Sequence, residues 1–187
     1  MKKKTIVILA AFLLLLGGAT LLYDFLGDNY DPSQLKEQSE EQKDDHSVEK
    51  IPMVDFVVYD AEGNEVNLFD YAGKPIVVNF WASWCNPCLG ELPTFDKAYE
   101  KYKGQVNFLM VNLTDGQRDT VTKVNDFVTK KGYKFPVFYD TKMNAASVYG
   151  VSSIPATLFI DAEGFIVSGI TGAMNVVSLE ENISAIL

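Results

Sequence analysis

The order of apolar segments predicts an α/β domain. It has a central mixed sheet with helices on both faces, a β-hairpin at its start and an antiparallel edge near its end. Three observations carry this. Ile76 to Trp81 is a nearly unbroken apolar run, the pattern of a strand covered on both faces. After it, segments with helical apolar spacing alternate with short strand-like runs. The tetrapeptide Asp-Ala-Glu-Gly occurs twice, at 60–63 and 161–164, each time between two such runs. Asp starts a turn of this kind and Gly supplies positive φ where the chain re-enters the strand, so turn chemistry explains the recurrence better than duplication.

In chain order, Phe56 to Tyr59 and Glu65 to Leu68 form the first hairpin. The strand Ile76–Trp81 leads into a helix on which Leu92, Phe95, Tyr99 and Tyr102 share one face. Pro93 lies inside that helix, removes a backbone donor and is expected to kink it. Val106 to Val111 is the next strand. Val121, Val124, Phe127 and Val128 mark a second amphipathic helix that stops at Gly132. Phe135 to Tyr139 is a strand, and Lys142 to Tyr149 is a short helix ended by Gly150. Ala156 to Ile160 and Phe165 to Ile170 form the second hairpin, and a Ser178/Glu181 capping box opens a last helix.

Residues 51–187 hold this domain; two different segments precede it. Residues 1–26 form an amino-terminal membrane anchor or signal segment. Thr5 to Leu22 is apolar over eighteen residues, just long enough to span a bilayer as a helix. Lys2, Lys3 and Lys4 before it and acids after it place the domain outside the cytoplasm. Gly17-Gly18-Ala19 would suit a signal peptidase, but the apolar character continues through Leu21, Leu22, Tyr23, Phe25 and Leu26, which favours a retained anchor. Residues 27–50 are polar and acidic and read as a flexible tether that holds the only histidine, His46.

The chain carries a formal charge of −9, and residues 51–187 contribute about −6 of it. With no basic cluster there, nucleic acid is excluded as a partner. An apolar fraction of 48% fills a core without disulfide staples. The two cysteines, Cys85 and Cys88, are separated by two residues, and a bridge closing so short a loop constrains the unfolded chain very little. The pair therefore points to chemistry more than to stability. In Trp84-Cys85-Asn86-Pro87-Cys88 the first cysteine falls where a strand gives way to a helix. Free N–H groups and the helix dipole stabilise a thiolate at that position, and a second thiol one turn on can close a ring with it. Pro87 stands where the helix has no use for an N–H. Half of a zinc site is the main rival, but no third cysteine exists and the histidine lies in the tether, so no metal or other cofactor is expected.

Three blocks add a resemblance: Asn79-Phe80-Trp81-Ala82-Ser83-Trp84-Cys85-Asn86-Pro87-Cys88, Glu91-Leu92-Pro93, and Ile154-Pro155-Ala156-Thr157. From about residue 52 to the end the chain resembles the thioredoxin superfamily. Within it, the chain is similar to the membrane-anchored extracytoplasmic branch of TlpA/ResA-like thiol–disulfide oxidoreductases. The amino-terminal hairpin and an inserted helix around 117–131 also look like that branch. The resemblance implies a thioredoxin-like fold with Cys85 and Cys88 as the redox-active pair. It implies that Pro155 is a cis-proline packed on the pair, leaving backbone groups free to hold a substrate strand, with Ile154 before it. It also implies that Glu91, three residues past Cys88, tunes the cysteines and handles the proton of the buried thiol; a surface glutamate in the first helical turn is the plain alternative. Trp84 either shields the pair or only packs. Asn79 stands where cytoplasmic thioredoxins carry a buried Asp, which makes Glu91 the better proton-handling candidate.

The implied function is a reductant of disulfides in exported proteins, as in cytochrome c maturation or surface thiol repair, fed by a membrane thiol electron donor of the CcdA/DsbD type. An oxidase that introduces disulfides is the alternative, with identical fold and mechanism. A thiol peroxidase would place a lone cysteine in another loop with a nearby threonine and arginine. A copper carrier would need a wider cysteine spacing and a distant histidine. Both patterns are missing.

Overall fold

The structure is a computed structural model and describes residues 50–187. The expected anchor, and the tether apart from Lys50, lie outside the described residues. Among the described residues no helix is long and apolar enough to cross a membrane.

Strand β1 (Ile51–Pro52) is followed by a hairpin of β2 (Val57–Tyr59) and β3 (Glu65–Asn67), then a 3₁₀ turn at Leu68–Tyr71. Strand β4 (Ile76–Trp81) leads into helix α1 (Asn86–Tyr102), and β5 (Asn107–Asn112) into α2 (Val121–Lys131). Next come β6 (Val137–Tyr139), α3 (Asn144–Val148), the hairpin of β7 (Ala156–Ile160) and β8 (Phe165–Thr171), and α4 (Val176–Ile186). The eight strands form one sheet in the order β1-β8-β7-β4-β5-β6-β2-β3. β4, β5 and β6 are parallel, and every other pairing is antiparallel. The sheet is mixed, as expected, but both of its margins are antiparallel, because the first hairpin pairs onto β6 through Tyr59 and Tyr139.

Alternation along β4 builds a core on each face. Val77 and Trp81 join Leu92 and Phe95 of α1, Val124 of α2, and Leu179 and Ile183 of α4. Ile76, Val78 and Phe80 join Phe56, Leu68 and Ala145 and Ala146 of α3. All six residues of β4 are buried, which is why the strand reads as an apolar run and not as an alternation. The buried stripe Leu92, Phe95 and Tyr102 of α1 follows the predicted spacing, and the helix runs through Pro93. α2 ends at Gly132, whose φ of 73° is the left-handed conformation that closes a helix. In the two Asp-Ala-Glu-Gly turns the Gly N–H bonds to the Asp carbonyl, at 3.2 Å from Gly63 and 3.1 Å from Gly164.

Three local expectations are corrected, and one strand is added. β1 was not foreseen; two residues, one a proline, leave no periodic trace, yet Ile51 and Pro52 pair with Ile166 and Phe165. β6 begins after Pro136, which has no N–H to give a ladder. α3 spans only Asn144–Val148, because Asp140 accepts the N–H groups of Asn144 and Ala146 and sets where it starts. The last helix starts at Val176, not at a Ser178 cap: Asn175 is the N-cap and accepts the N–H of Ser178 at 3.0 Å.

Candidate active site

The site forms where two neighbouring strands meet at one end of the sheet. β4 finishes at Trp81, and β7, antiparallel to it, starts at Ala156 opposite Phe80. The residues after Trp81 and those before Ala156 are therefore neighbours in space although about seventy positions apart in sequence. Ala82 to Trp84 turn the chain, closed by a Cys85 N–H to Ala82 carbonyl bond of 3.2 Å, and Cys85 becomes the N-cap of α1. Asn86 and Pro87 open the helix, and Cys88 is its third residue. The Cys88 N–H donates to Cys85 Sγ at 3.2 Å, so the sulfur takes the place that a Ser or Asp oxygen holds at ordinary helix starts. That placement favours negative charge on Cys85 when the pair is reduced.

Cys85 and Cys88 are joined in a disulfide. Cys85 retains 6% exposure and Cys88 none, so an incoming sulfur reaches Cys85 first. The Ile154–Pro155 peptide bond is cis, as the resemblance implied. Cys85 Sγ lies 3.7 Å from the Ile154 carbonyl oxygen. The Pro155 carbonyl accepts from the Gly172 N–H at 2.8 Å, so the group of this loop turned to the sulfur belongs to Ile154.

Glu91 is not a surface residue. It is 1% exposed, on the face of α1 turned toward β4. Oε1 accepts from Asn79 Nδ2 at 2.9 Å, and Oε2 accepts from the Met174 N–H at 2.8 Å. Burial pushes its carboxyl above the ordinary 4.5, and the Met174 and then the Asn79 hydrogen bonds oppose that rise. Asn79 Nδ2 also donates to Thr157 Oγ1 at 2.9 Å. Asn79 Oδ1 and Trp81 Nε1 are buried without a hydrogen-bond partner among the described residues. Asn79, Glu91 and Thr157 thus form one polar cluster, drawn from all three blocks of the resemblance.

Trp84 is 39% exposed at the surface beside Cys85. The Arg118 guanidinium stacks on it, with Cζ 3.6 Å from the ring centroid. Arg118 comes from the loop between β5 and α2, which is fastened to the redox turn by Asp119. This carboxylate is fully buried. It accepts from Ser83 N–H and Asn112 Nδ2 at 2.8 and 2.9 Å, and also from the Ser83 hydroxyl. Sequence reasoning missed Ser83, Asn112, Arg118, Asp119 and Met174. The only trace of the loop was the inserted segment itself; nothing local marks its contact with a turn 36 residues earlier.

The sequence matches the AhpC/TSA family over residues 49–168. It is 33% identical over 183 residues to the thiol-disulfide oxidoreductase ResA of Bacillus thuringiensis strain Al Hakam, covering 96% of this chain and 95% of that protein. Identity to ResA of Geobacillus thermodenitrificans is 35% over 133 residues, covering 71% of this chain and 74% of that one. Among solved structures, StoA from Bacillus subtilis superposes with a TM-score of 0.60 at 28% identity, covering 71% of this chain and 98% of that one. With a bridged cysteine pair at a helix start, a cis-proline beside it and relatives of that length, the chain belongs to the AhpC/TSA family and is a thioredoxin-like thiol–disulfide oxidoreductase.

Proposed function

We propose that this protein works outside the cytoplasm, held to the membrane by residues 1–26, as a reductant of disulfides in exported proteins. The observation that carries the reaction is the Cys85–Cys88 disulfide at the start of α1, with Cys85 the more exposed sulfur and facing Ile154. Once reduced, the Cys85 thiolate attacks a substrate disulfide. A Cys85–substrate S–S bond forms, the substrate bond breaks, and the leaving sulfur takes up a proton. Cys88 then loses its proton and attacks Cys85, re-forming the internal disulfide and releasing the second substrate thiol. Two electrons pass to the substrate, and a membrane thiol donor of the CcdA/DsbD type restores the dithiol.

Glu91 is the group that takes the Cys88 proton. It lies one turn further along α1, it is buried, and its raised pKa brings it closer to that of a thiol. Asn79 beside it has no proton to exchange at neutral pH. Trp84 covers the approach to Cys85, and Ile154 with Pro155 forms the wall along which a substrate strand lies.

The equilibrium potential of the Cys85–Cys88 couple tests the direction of flow. A value near or below about −300 mV supports the reductant, and one near about −120 mV supports the oxidase. Cys88→Ser is expected to accumulate mixed disulfides through Cys85 with exported proteins in whole cells. Their absence from the membrane fraction would remove both the resolving role and the location.

A further inference from the structure

Arg118 occupies a place that the exchange chemistry does not explain. Its guanidinium lies over the Trp84 ring, with Cζ 3.6 Å from the centroid, beside the attacking cysteine. Its Nε donates to Asp115 Oδ2 at 2.8 Å. Asp115 Oδ1 is meanwhile occupied by the N–H groups of Gln117, Arg118 and Asp119. Asp115 thus engages one of the three guanidinium nitrogens. The other two make no hydrogen bond among the described residues, and the side chain is 59% exposed. The loop that presents it is not free to wander. Buried Asp119, the next residue, is tied to Ser83 and Asn112, and Lys123 Nζ donates to the carbonyls of Gln117 and Arg118 at 3.0 and 3.4 Å.

A planar, permanently charged fork, stacked on an aromatic ring and held from behind, is preorganised to pair with a carboxylate. Trp84 directly precedes Cys85 and is 39% exposed, so a polypeptide that presents a sulfur to Cys85 can bring its neighbouring side chains to this fork. The rest of the domain is net acidic, with sixteen acids and ten bases over residues 51–187. Asp115 offsets the Arg118 charge from one side, and the two remaining guanidinium nitrogens are the positive edge presented beside Trp84.

We propose that Arg118, stacked on Trp84, is a specificity-determining residue that selects substrate segments with an acidic side chain beside the target cysteine. This rests on the exchange reaction proposed above and adds a preference among its substrates. The guanidinium edge left open by Asp115 favours a carboxylate here, and the exposed position limits the preference to that of a single solvent-accessible ion pair.

The test uses the reduced full-length protein and three disulfide-linked model peptides, with Asp, Ala or Lys beside the cysteine. Second-order exchange rates are measured at low and high salt. The wild-type protein is expected to favour the Asp peptide over the Lys peptide about three- to five-fold at low salt, with the ratio shrinking as salt rises. Arg118→Gln should bring the ratio to about one, and Arg118→Glu should invert it. Equal rates for the Asp and Lys peptides with the wild-type protein would overturn the proposal. So would an Arg118→Gln variant that slows all three peptides alike, since that would mean the cation acts on the Cys85 thiolate and not on the substrate. Failure of the wild-type protein to exchange with even the Ala peptide would instead bring down the reductant reading.

Discussion

Two buried carboxylates flank the redox turn, and they are built differently. Glu91, on the inner face of α1, takes one donor on each oxygen, from Asn79 and from the Met174 backbone. Asp119, in the loop on the other side, takes both the N–H and the hydroxyl of Ser83 together with the amide of Asn112. Burial dominates the first and raises its pKa. The second is a bracket, joining a loop to a turn 36 residues away. The comparison teaches that burial alone does not set what a carboxylate does. The donors around Asp119 join two distant segments, whereas those around Glu91 tie it to the strand below and to the loop before α4.

The largest expected effect tests whether the two acids serve one reaction. Cys85→Ser should abolish disulfide exchange altogether, measured with a small aromatic disulfide. In that background Glu91 should lose every kinetic effect, while Asp119 keeps its effect on stability. Asp119→Ala comes next. It leaves the Ser83 and Asn112 donors buried without an acceptor and should lower unfolding free energy by about 3 kcal/mol in urea titrations. A loss below about 0.5 kcal/mol would mean that the bracket carries no load.

Glu91→Gln should instead leave stability at neutral pH unchanged or improved, and its signature should be in pH dependence. The folded pKa of Glu91 lies above 4.5, so between those two values the folded state keeps a proton that the unfolded chain has lost. The stability linked to Glu91 is full below 4.5 and is lost as pH rises through the folded pKa. The difference between wild-type and Glu91→Gln unfolding free energies should show that decline, and a flat difference would return Glu91 to a packing role. The same substitution should shift the pH profile of Cys88 alkylation in the reduced protein. Ser83→Ala is the smallest change. It removes one of the Asp119 donors while keeping the backbone one, and should cost about 1 kcal/mol.

Most of the frame was legible in the chain, because its signals are local. The run Ile76–Trp81 is one strand, the Leu92, Phe95 and Tyr102 stripe is one helix face, and the two Asp-Ala-Glu-Gly turns sit where turn chemistry puts them. The cysteine pair was equally plain, since a spacing of three and a strand-to-helix boundary are both read along the sequence. The cis bond at Pro155 was reached only through resemblance. What stayed hidden depends on distance. Glu91 looked as able to be a surface residue as a buried one until Met174, 83 positions on, was found over it. Ser178 reads along the chain as the cap of the last helix, and Asn175, three residues earlier, holds that place. Arg118 and Asp119 read as ordinary loop polar residues, since nothing near them names Trp84 or Ser83 as their partners.

Asn79 carries one last implication. Its amide points both hydrogens away, one to Glu91 and one to Thr157, while its own oxygen faces no donor among the described residues. In that orientation it donates to a bare carboxylate and offers no acceptor to the hydrogen of a carboxylic acid. Turned over, it would present the idle oxygen to an acidic hydrogen instead. A proton arriving on the Glu91 oxygen that Asn79 holds would break that bond unless the amide turned over, so the amide as it stands favours the charged form of its neighbour.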